Sequence, residues 1–483
     1  MKKYDAIIIG SGQAGNPLAR KLAAADWKVA LIEKRWVGGT CINDGCTPTK
    51  SMIASARIAH QIRRSAEFGI HAEGFSVNME ELIDRKNSIV RSFRESLTKG
   101  LVATEGVDLI FGNASFSGPQ EITVVKEDGS SEILRAEKIF INTGTRPLAP
   151  PVEGLGKINY LTSTSIMELM EIPSHLVIVG ASYIALEFGQ LYRRLGSEVT
   201  IIESGKNFLP KEDEDISSEI RKILEEDGIK FLIGTHARRV SYSGSSLSDG
   251  VSSEVASAGG SSSDGSRGLI SLGLQTGQAE QTITGSHLLV AAGRVADTEG
   301  LNTAAAGIML DEKGFIAVND RLETNIPGIY ALGDVKGGPQ FTHISYDDYR
   351  IVYKNLLENG HGSTAGRLLN YCLFTDPQLG RIGLSEKEAR SRGLSIKIAR
   401  LPMSSVARGI ETSETRGLLK VIINAGDKKI IGAAILAPEG GELMAVLQMA
   451  MMGGVTYDKI RDAVYAHPTY AESLNNLFME LDN

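Results

Sequence analysis

Short runs of apolar residues alternate with helical patterns at the start of the chain. Residues 4–9 (YDAIII) and 28–33 (KVALIE) are nearly continuous apolar runs, and residues 16–26 (NPLARKLAAAD) between them place apolar residues at helical spacing. A continuous apolar run is typical of a strand that helices cover on both faces. The order of strand, helix and strand therefore predicts a βαβ unit with parallel strands.

The same order recurs in the middle of the chain. Residues 175–180 (HLVIVG) and 198–203 (EVTIIE) are apolar runs, and residues 184–196 (IALEFGQLYRRLG) between them follow a helical pattern. The chain therefore contains a second predicted βαβ unit, and we expect an α/β fold.

Three glycines follow the first apolar run at the spacing of a dinucleotide-binding turn. Gly10, Gly12 and Gly15 fit the pattern G-x-G-x-x-G, and Glu33 ends the second strand. Such glycines allow a tight turn, a close approach of the backbone to a pyrophosphate and close packing of helix on strand. The helix N-terminus then faces the phosphates, and the acid accepts hydrogen bonds from a ribose. This unit predicts a dinucleotide site.

The second unit keeps only the first of these glycines. Gly180 remains, Ser182 and Ala185 occupy the later positions, and Glu203 ends the strand. A carboxylate there accepts from the ribose hydroxyls of NADH and repels the 2′-phosphate of NADPH by about 1–4 kcal/mol at contact distance, although alanine in the third position is common among NADPH users. We expect a second nucleotide site that favours NADH over NADPH. An ordinary βαβ unit with a glycine turn is the alternative.

Composition and charge limit the classes of function. The chain has 483 residues, of which 42% are hydrophobic and 23% charged, and this length allows several domains. Its net charge of −7 argues against electrostatic binding to nucleic acid or to an anionic membrane. No apolar stretch reaches the roughly 18 residues that a membrane span needs, and the N-terminus does not fit a secretory signal. We therefore expect a cytoplasmic protein.

Two of the three cysteines, Cys41 and Cys46, lie in residues 38–50 (GGTCINDGCTPTK). A structural disulfide is uncommon in the cytoplasm, and a zinc site would need a second pair of ligands at metal spacing, which the sequence lacks; we expect no metal site. Cys46 precedes a helical pattern, and a helix N-terminus stabilises a thiolate. Because a disulfide needs its Cα atoms within about 7 Å, a redox pair requires a distorted first turn, which Gly45 permits.

Further blocks follow in order along the chain. Besides residues 38–50 they are INTGTRP (141–147), VAAGR (290–294), GIYALGDVKGGP (328–339), YCLFTDPQLGRIG (371–383) and HPTYAE (467–472). With these blocks the chain resembles the flavin-dependent pyridine nucleotide–disulfide oxidoreductases, the family of dihydrolipoamide dehydrogenase, glutathione reductase and mercuric reductase. The resemblance implies FAD at the first nucleotide site, a nicotinamide nucleotide at the second, and an electron relay between them.

The resemblance also assigns roles to individual residues. It implies that Cys46 is the charge-transfer thiol beside the flavin and that Cys41 is the outer thiol that meets the substrate. Lys50 would lie near flavin N5 and pair with Glu187 of the second nucleotide helix. Tyr183 would cover the nicotinamide pocket.

Further residues are assigned in the same way. Asp334 would hold the ribityl chain of the flavin, and His467 would be the general acid and base for Cys41 of the other subunit, oriented by Glu472. Histidine suits this role because its ordinary pKa lies near neutrality, and a carboxylate fixes its tautomer. The other residues that the resemblance places at the cofactors are Gly39, Thr40, Thr143, Gly144, Gly293 and Gly333.

The implied architecture has two Rossmann-like domains of the glutathione reductase type and a C-terminal α+β dimerisation domain. We predict the first FAD segment over residues 1–150, the NAD(P) domain over 151–285, a central FAD segment over 286–347 and the dimerisation domain over 348–483. We expect a homodimer with a shared active site. The serine- and glycine-rich residues 241–268 predict a mobile surface loop, because they cannot bury enough apolar surface to become ordered.

The final electron acceptor is defined less clearly. Several blocks are most similar to the mercuric-reductase-like branch, but a mercuric reductase carries a vicinal cysteine pair near its C-terminus. Only Cys372 remains here, in an apolar run that predicts a buried core position. Because soft metals need thiolates, we expect a small disulfide or another oxidant as substrate rather than efficient mercury reduction. Open alternatives are an NAD-linked dihydrolipoamide dehydrogenase, a quinone, metal or oxygen reductase that works mainly through its flavin, and a flavin redox sensor with little turnover.

Overall fold

The computed structural model describes residues 1–243 and 268–482, so most of the predicted loop 241–268 lies outside the described residues. The helices are α1 (Gly15–Ala23), α2 (Gly39–Asn43), α3 (Cys46–Arg64), α4 (Met79–Val102), α5 (Tyr183–Leu195), α6 (Glu214–Glu226), α7 (Thr342–Leu357), α8 (Glu386–Ser391), α9 (Ala407–Glu411), α10 (Gly440–Met452), α11 (Tyr457–Arg461) and α12 (Ser473–Met479). The strands are β1 (Lys2–Ile9), β2 (Val29–Glu33), β3 (Val107–Phe111), β4 (Asn113–Gly118), β5 (Glu121–Val125), β6 (Ser131–Ile141), β7 (Thr145–Pro147), β8 (His175–Val179), β9 (Glu198–Glu203), β10 (Ile229–Ile233), β11 (Thr235–Tyr242), β12 (Ile270–Thr276), β13 (Ala279–Gly285), β14 (His287–Val290), β15 (Arg294–Ala296), β16 (Ile329–Ala331), β17 (Asn370–Leu373), β18 (Gln378–Gly383), β19 (Ile396–Pro402), β20 (Leu418–Asn424) and β21 (Ile430–Ala437).

The chain divides into two compact units, each made of three segments. The segments of unit 1 are Met1–Ser55, Glu80–Leu148 and Gly293–Leu369. Those of unit 2 are Ala56–Met79, Ala149–Ala292 and Asn370–Asn483. No helix within residues 1–243 and 268–482 is long and apolar enough to cross a membrane.

Unit 1 contains a sheet with the strand order β3-β2-β1-β6-β5-β4, and β16 pairs with β6. β1 is parallel to both β2 and β6, so β1, α1 and β2 form the predicted first βαβ unit. Successive side chains of a strand point to opposite faces. Ile7 and Ile9 join one hydrophobic cluster, whereas Ala6 and Ile8 join another. Both faces of β1 are therefore covered, which explains its continuous apolar run.

Unit 2 contains three sheets. A parallel sheet has the order β10-β9-β8-β14, and β8, α5 and β9 form the predicted second βαβ unit. The other two are the antiparallel sheets β11-β12-β13 and β17-β18-β21-β20-β19. Helix α10 packs on β18 and β21, which gives the C-terminal part an α+β arrangement.

The domain boundaries predicted from the sequence stay a prediction. One strand bears on them: β14 follows residue 285, where we placed the end of the NAD(P) domain, yet it pairs with β8 of the second βαβ unit. The backbone hydrogen bonds of β8 thus extend the parallel sheet beyond that boundary.

A buried lysine joins separate elements of unit 2. The side chain of Lys420, on β20, is 1% exposed, and its Nζ lies 2.8 Å from Asp215, 2.9 Å from Glu386 and 3.0 Å from Asp213. Asp213 precedes α6 and accepts hydrogen bonds from the backbone N–H groups of Glu386 and Lys387 at the start of α8. Lys420 therefore pairs with three carboxylates that hold α6, α8 and β20 together, and Arg400 of β19 pairs with two of them, Asp215 and Glu386.

Replacing this lysine with methionine should destabilise the protein strongly. Lys420→Met leaves the buried carboxylate of Asp213 without this counter-charge, although Arg400 still pairs with Asp215 and Glu386, and we expect it to lower the free energy of unfolding by about 3–5 kcal/mol. Urea unfolding at pH 7 measures this loss. As a control, Lys428→Met removes an exposed lysine that lies 3.7 Å from Asp458, and should change the free energy by less than about 0.5 kcal/mol.

The free energy of unfolding of Lys420→Met should depend less on acidic pH than that of wild type. Burial alone would raise the pKa of Asp213, Asp215 and Glu386, but hydrogen bonds and the charge of Lys420, joined at Asp215 and Glu386 by Arg400, hold each pKa below its usual value. A depressed folded-state pKa stabilises the fold above the unfolded pKa of about 4, and this stability is lost as the pH falls through the folded value. Equal acid sensitivity of wild type and Lys420→Met would contradict the assignment.

Candidate active site

The two cysteines of residues 38–50 lie on different helices. Cys41 is in α2, Cys46 is the first residue of α3, and Asp44 and Gly45 form a break between the helices. A Cβ on Gly45 would lie 2.9 Å from the carbonyl oxygen of Thr40, so the main chain is too close there for a side chain. The distorted first turn that we expected is wrong in this detail, because the chain leaves one helix and begins another.

The break brings the two sulfurs together as unequal thiols. Both cysteines are free thiols, and a hydrogen bond joins their side chains. This bond and burial raise the pKa of the Cys41 thiol, although the charge of Lys50 opposes the increase. Cys46 is more exposed, and its Sγ lies 3.4 Å from the hydroxyl oxygen of Thr342. We therefore infer that Cys41 keeps its proton while Cys46, at a helix N-terminus, carries the first negative charge.

Side chains of α2 and α4 support the break from outside. The buried amide of Asn43 donates to the carbonyl oxygens of Val37 at 3.0 Å and Gly39 at 2.9 Å, and accepts from Nε of Arg94 at 2.7 Å. The guanidinium groups of Arg35 and Arg94 lie 4.3 and 4.1 Å from the ring centre of Trp36. These contacts fix α2 relative to the second half of α4.

The first glycine-rich turn has the geometry that its spacing predicts. Gly10 has φ +100°, and a Cβ there would collide with the carbonyl oxygen of Asn142. A Cβ on Gly15 would meet the carbonyl oxygen of Gly10, and one on Gly39 would lie 2.8 Å from Cα of Gly12. The loops that carry Gly12 and Gly39 thus approach each other along bare backbone, which suits the binding of a pyrophosphate.

Glu33 is buried and already binds the turn. Its Oε2 accepts from the backbone N–H of Ser11 at 3.0 Å and from the hydroxyl of Ser11 at 2.7 Å, and its Oε1 accepts from the N–H of Arg35 at 2.9 Å. A carboxylate has about four acceptor positions, so these bonds leave room for the predicted ribose contact.

The strand that follows the first unit supplies two further predicted residues. The hydroxyl oxygen of Thr143 is buried and has no hydrogen-bond partner within residues 1–243 and 268–482. Gly144 precedes β7 and Gly293 precedes β15, both with positive φ, and β7 pairs with β15. The unpaired hydroxyl fits a polar ligand at this end of the sheet.

Asp334 lies in a tight turn that a buried ion cluster holds. Burial raises the pKa of Asp334, and its Oδ2 accepts from the hydroxyl of Thr145 at 3.3 Å. The neighbouring N–H of Gly333 donates to Asp348 at 2.8 Å, and Asp348, which is fully buried, lies 2.7 Å from Arg367. Asp348 thus fixes the backbone that presents Asp334.

The second nucleotide site repeats the first in unit 2. Gly180 has φ +101°, and a Cβ there would lie 2.5 Å from the carbonyl oxygen of Ala291. Glu203 accepts from the N–H of Ala181 at 2.9 Å and from the N–H of Gly205 at 2.6 Å. Ala185 is fully buried, where a small residue allows close packing of helix on strand.

The other predicted residues of this site lie along α5. Tyr183 is the first residue of the helix, and Glu187 is buried one turn later. Oε1 of Glu187 accepts from the N–H of Phe374 at 3.0 Å. Lys50 belongs to unit 1 and Glu187 to unit 2, so their pairing stays a prediction.

His467 and Glu472 form the pair that their spacing suggests. Nδ1 of His467 lies 2.9 and 3.0 Å from the two carboxylate oxygens of Glu472. The imidazole is 69% exposed, so the other ring nitrogen is accessible. The N–H of Glu472 donates to the hydroxyl of Thr469 at 3.2 Å, which holds the turn between the two residues.

Cys372 differs from its prediction. It lies in a strand as expected, but it is half-buried rather than part of the core. The reason is that β17 is an edge strand of its sheet, so one side of it has no neighbouring strand.

Comparison with known proteins agrees with this geometry. The pyridine nucleotide-disulphide oxidoreductase family matches residues 4–348, and the dimerisation domain of the same family matches residues 369–478. The chain belongs to this family of oxidoreductases. The predicted family, fold class and enzyme class are thereby confirmed, and pyridine nucleotide-disulphide oxidoreductases of this kind are FAD-dependent. The dimerisation domain supports a homodimer.

The relatives are similar over nearly the whole chain. The probable pyridine nucleotide-disulfide oxidoreductase RclA of Escherichia coli K12 is 37% identical and covers 99% of both chains. A mercuric reductase of Staphylococcus aureus is 32% identical over 99% of this chain and 82% of its own. A solved structure, the Cu(II) complex of the HOCl-induced flavoprotein disulfide reductase RclA from Escherichia coli, has a TM-score of 0.86 at 35% identity and covers 99% of both chains.

The unequal thiols should differ in reactivity. In reduced, flavin-free protein with a Cys372→Ser background, we expect iodoacetamide to modify Cys46 before Cys41, because only a thiolate is nucleophilic and no flavin then covers Cys46. In Cys46→Ser the neutral hydroxyl replaces the sulfur that raises the pKa of Cys41, so alkylation of Cys41 should begin at lower pH than in wild type. Peptide mass spectrometry across pH measures both effects. First modification of Cys41, or an unchanged pH dependence in Cys46→Ser, would refute the assignment.

Proposed function

We propose that the protein is an NAD(P)H-dependent reductase of small disulfides or related oxidants. The hydrogen-bonded pair Cys41–Cys46 carries this proposal, because two thiols this close can form and open a disulfide. The name of the solved relative, a flavoprotein disulfide reductase, supports the same chemistry.

The first nucleotide site fits FAD. The backbones of Gly12 and Gly39 approach each other without side chains, which suits the binding of the pyrophosphate. The unpaired hydroxyl of Thr143 and the half-buried carboxylate of Asp334 offer polar contacts to the cofactor. A flavin held by these residues would supply two-electron transfer from the nicotinamide to the Cys41–Cys46 disulfide.

The raised pKa of Cys41 explains why a base is needed. A neutral thiol is a poor nucleophile, so Cys41 must lose its proton before it attacks the acceptor. We assign this proton to Nε2 of the partner's His467, whose Nδ1 would be held by the partner's Glu472 in the tautomer that leaves Nε2 free. Cys41 then forms a mixed disulfide, and His467 returns the proton to the departing thiolate.

Cys46 completes the reaction. Its thiolate attacks the mixed disulfide at Cys41 and restores the Cys41–Cys46 disulfide, and the second half of the acceptor leaves as a thiolate that takes a proton from solvent. The acceptor gains two electrons and two protons, and NAD(P)H is the electron source. Thr342 lies where its hydroxyl can donate to the Cys46 thiolate.

Subunit mixing tests the shared active site. Cys41→Ser and His467→Ala dimers should each be nearly inactive, whereas a heterodimer of the two contains one intact site and should recover about half the activity of wild type. NADH-dependent reduction of a small disulfide by co-expressed, doubly tagged heterodimers measures this recovery. Heterodimers of Cys41→Ser and Cys46→Ser are the control, because neither subunit then has a complete thiol pair. A His467→Ala heterodimer as inactive as this control would exclude the shared site.

Glu203 is the basis for an NADH preference. Its carboxylate is fixed by two backbone N–H groups at the end of β9, where it would repel a 2′-phosphate. Glu203→Gln keeps an acceptor oxygen and removes the charge, and should lower the NADH/NADPH ratio of kcat/KM about tenfold. Glu198→Gln, at the exposed start of the same strand, is the control and should leave the ratio unchanged. An unchanged ratio in Glu203→Gln would refute the preference.

Dihydrolipoamide oxidation is the second candidate function. A dihydrolipoyl dehydrogenase of Thermus scotoductus is 33% identical over 98% of this chain, and the thiol pair suits either direction of exchange. Turnover of dihydrolipoamide with NAD would favour it. Full NADH oxidase or quinone reductase activity in Cys46→Ser would instead indicate that the flavin alone reduces the acceptor.

We place the protein in the cytoplasm, where the reducing environment suits a catalytic rather than structural disulfide.

A further inference from the structure

A small cavity with a mixed polar and apolar lining lies beside His467 in the C-terminal part of unit 2. Its volume is about 170 Å³. The polar residues that line it are Arg408, His467, Thr469, Glu472, Ser473 and Asn476. Ligand pockets for larger molecules usually measure about 300–1,000 Å³, so this cavity fits a group of a few atoms.

Arg408 is the cation of this cavity, and most of its hydrogen-bonding capacity is unused. Its Nη1 lies 3.2 Å from Glu411, three residues later on α9, and both side chains are more than two-fifths exposed. Within residues 1–243 and 268–482 the guanidinium makes no other hydrogen bond, although it has five N–H donors. An exposed pair of this kind is weak. A stronger ligand can therefore displace Glu411.

A short chain of hydrogen bonds fixes Arg408 relative to the His467 segment. The hydroxyl of Thr412 donates to the carbonyl oxygen of Arg408 at 2.8 Å and lies 2.7 Å from the hydroxyl of Tyr470. Tyr470 belongs to the same turn as His467 and Glu472. Helix α9 and this turn thus form one wall, with the guanidinium and the imidazole on the same cavity.

The negative charge of Glu472 is compensated once His467 is protonated. Nδ1 of His467 binds both of its carboxylate oxygens. When His467 takes the proton of Cys41, the pair becomes an imidazolium and a carboxylate with no net charge. Arg408 is then the remaining positive group of the cavity.

We propose that Arg408 binds an anionic group of the acceptor, so that the enzyme selects small disulfides that carry a carboxylate a few bonds from the sulfur. A guanidinium matches a carboxylate with two parallel hydrogen bonds, and the cavity volume fits a carboxyalkyl arm. This inference depends on the proposed disulfide reductase function. The reaction breaks the sulfur–sulfur bond of the acceptor and forms two thiols, while NAD(P)H and one proton are consumed.

Three disulfides of similar size and different charge test the proposal on the FAD-loaded dimer. They are dithiodiglycolate, which is anionic, bis(2-hydroxyethyl) disulfide, which is neutral, and cystamine, which is cationic. Wild type should have its lowest KM for dithiodiglycolate. Arg408→Gln should raise the ratio of KM for dithiodiglycolate to KM for the neutral disulfide about tenfold or more, and Arg408→Lys should raise it less. Glu411→Gln should lower the ratio, because it removes the competing carboxylate.

Two further measurements separate recognition from a change of structure. Thiodiglycolate has the same carboxylates but no bond to reduce, and calorimetry should show that it binds wild type at least tenfold more tightly than Arg408→Gln. Arg221→Gln is the matched control, because Arg221 is an exposed arginine paired with Glu225 on α6 at 2.8 Å, and it should leave the KM ratio unchanged.

The outcomes distinguish this inference from the proposed function. Three results would overturn the role of Arg408 while disulfide reduction stands. They are equal KM ratios in wild type and Arg408→Gln, a wild-type preference for the neutral or cationic disulfide, and equal binding of thiodiglycolate by wild type and Arg408→Gln. If no disulfide is reduced by wild type and Cys46→Ser retains all NADH oxidation, the proposed function itself fails.

Discussion

The proposed chemistry of this protein depends on one hydrogen bond between two sulfurs at a break between helices. The bond raises the pKa of the Cys41 thiol, and the proposed reaction places the negative charge on Cys46. Two equivalent thiols would not define an order of steps, whereas unequal thiols would assign the attack on the acceptor to one sulfur and the release of the product to the other. The inequality also explains the need for a histidine, since the outer thiol does not ionise unaided.

The two nucleotide sites share a design in which an acid organises its own loop. Glu33 and Glu203 each end a parallel strand, and each accepts from the N–H group directly after the first glycine and from the N–H group two residues after itself. The carboxylate thus closes the turn before any ligand is present. The ribose contact expected from the sequence stays a prediction and would be an addition to this structural role, because each carboxylate keeps acceptor positions for it.

Much of the fold and part of the site could be predicted from local patterns. The run at residues 4–9 predicts a strand covered on both faces, and Ala6, Ile7, Ile8 and Ile9 do alternate between two clusters. Gly10 and Gly180 adopt positive φ where a side chain would collide with a carbonyl oxygen. His467 and Glu472 meet because a short turn joins them. In each case the signal lies within a few residues.

The features that escaped prediction are contacts between distant parts of the sequence. Thr342 lies beside Cys46 although 296 positions separate them, and Arg94 reaches Asn43 from another helix. Arg408 shares a cavity with His467 without any motif of its own. Cys372 is half-buried because its strand is at a sheet edge, which depends on strand order rather than on the apolar run itself. The helix break at Asp44 and Gly45 depends on the close approach of Thr40, which spacing alone does not reveal.

That close approach has a consequence for the lifetime of any adduct on the outer sulfur. Because the backbone at Gly45 leaves no space for a side chain, main-chain geometry holds Cys46 near Cys41 whichever molecule is attached there. The effective concentration of one sulfur at the other is therefore high, and ring closure requires little loss of chain entropy. In the proposed reaction, an intermediate bound to Cys41 would thus be released by attack of Cys46 faster than a thiol from solution could react with it.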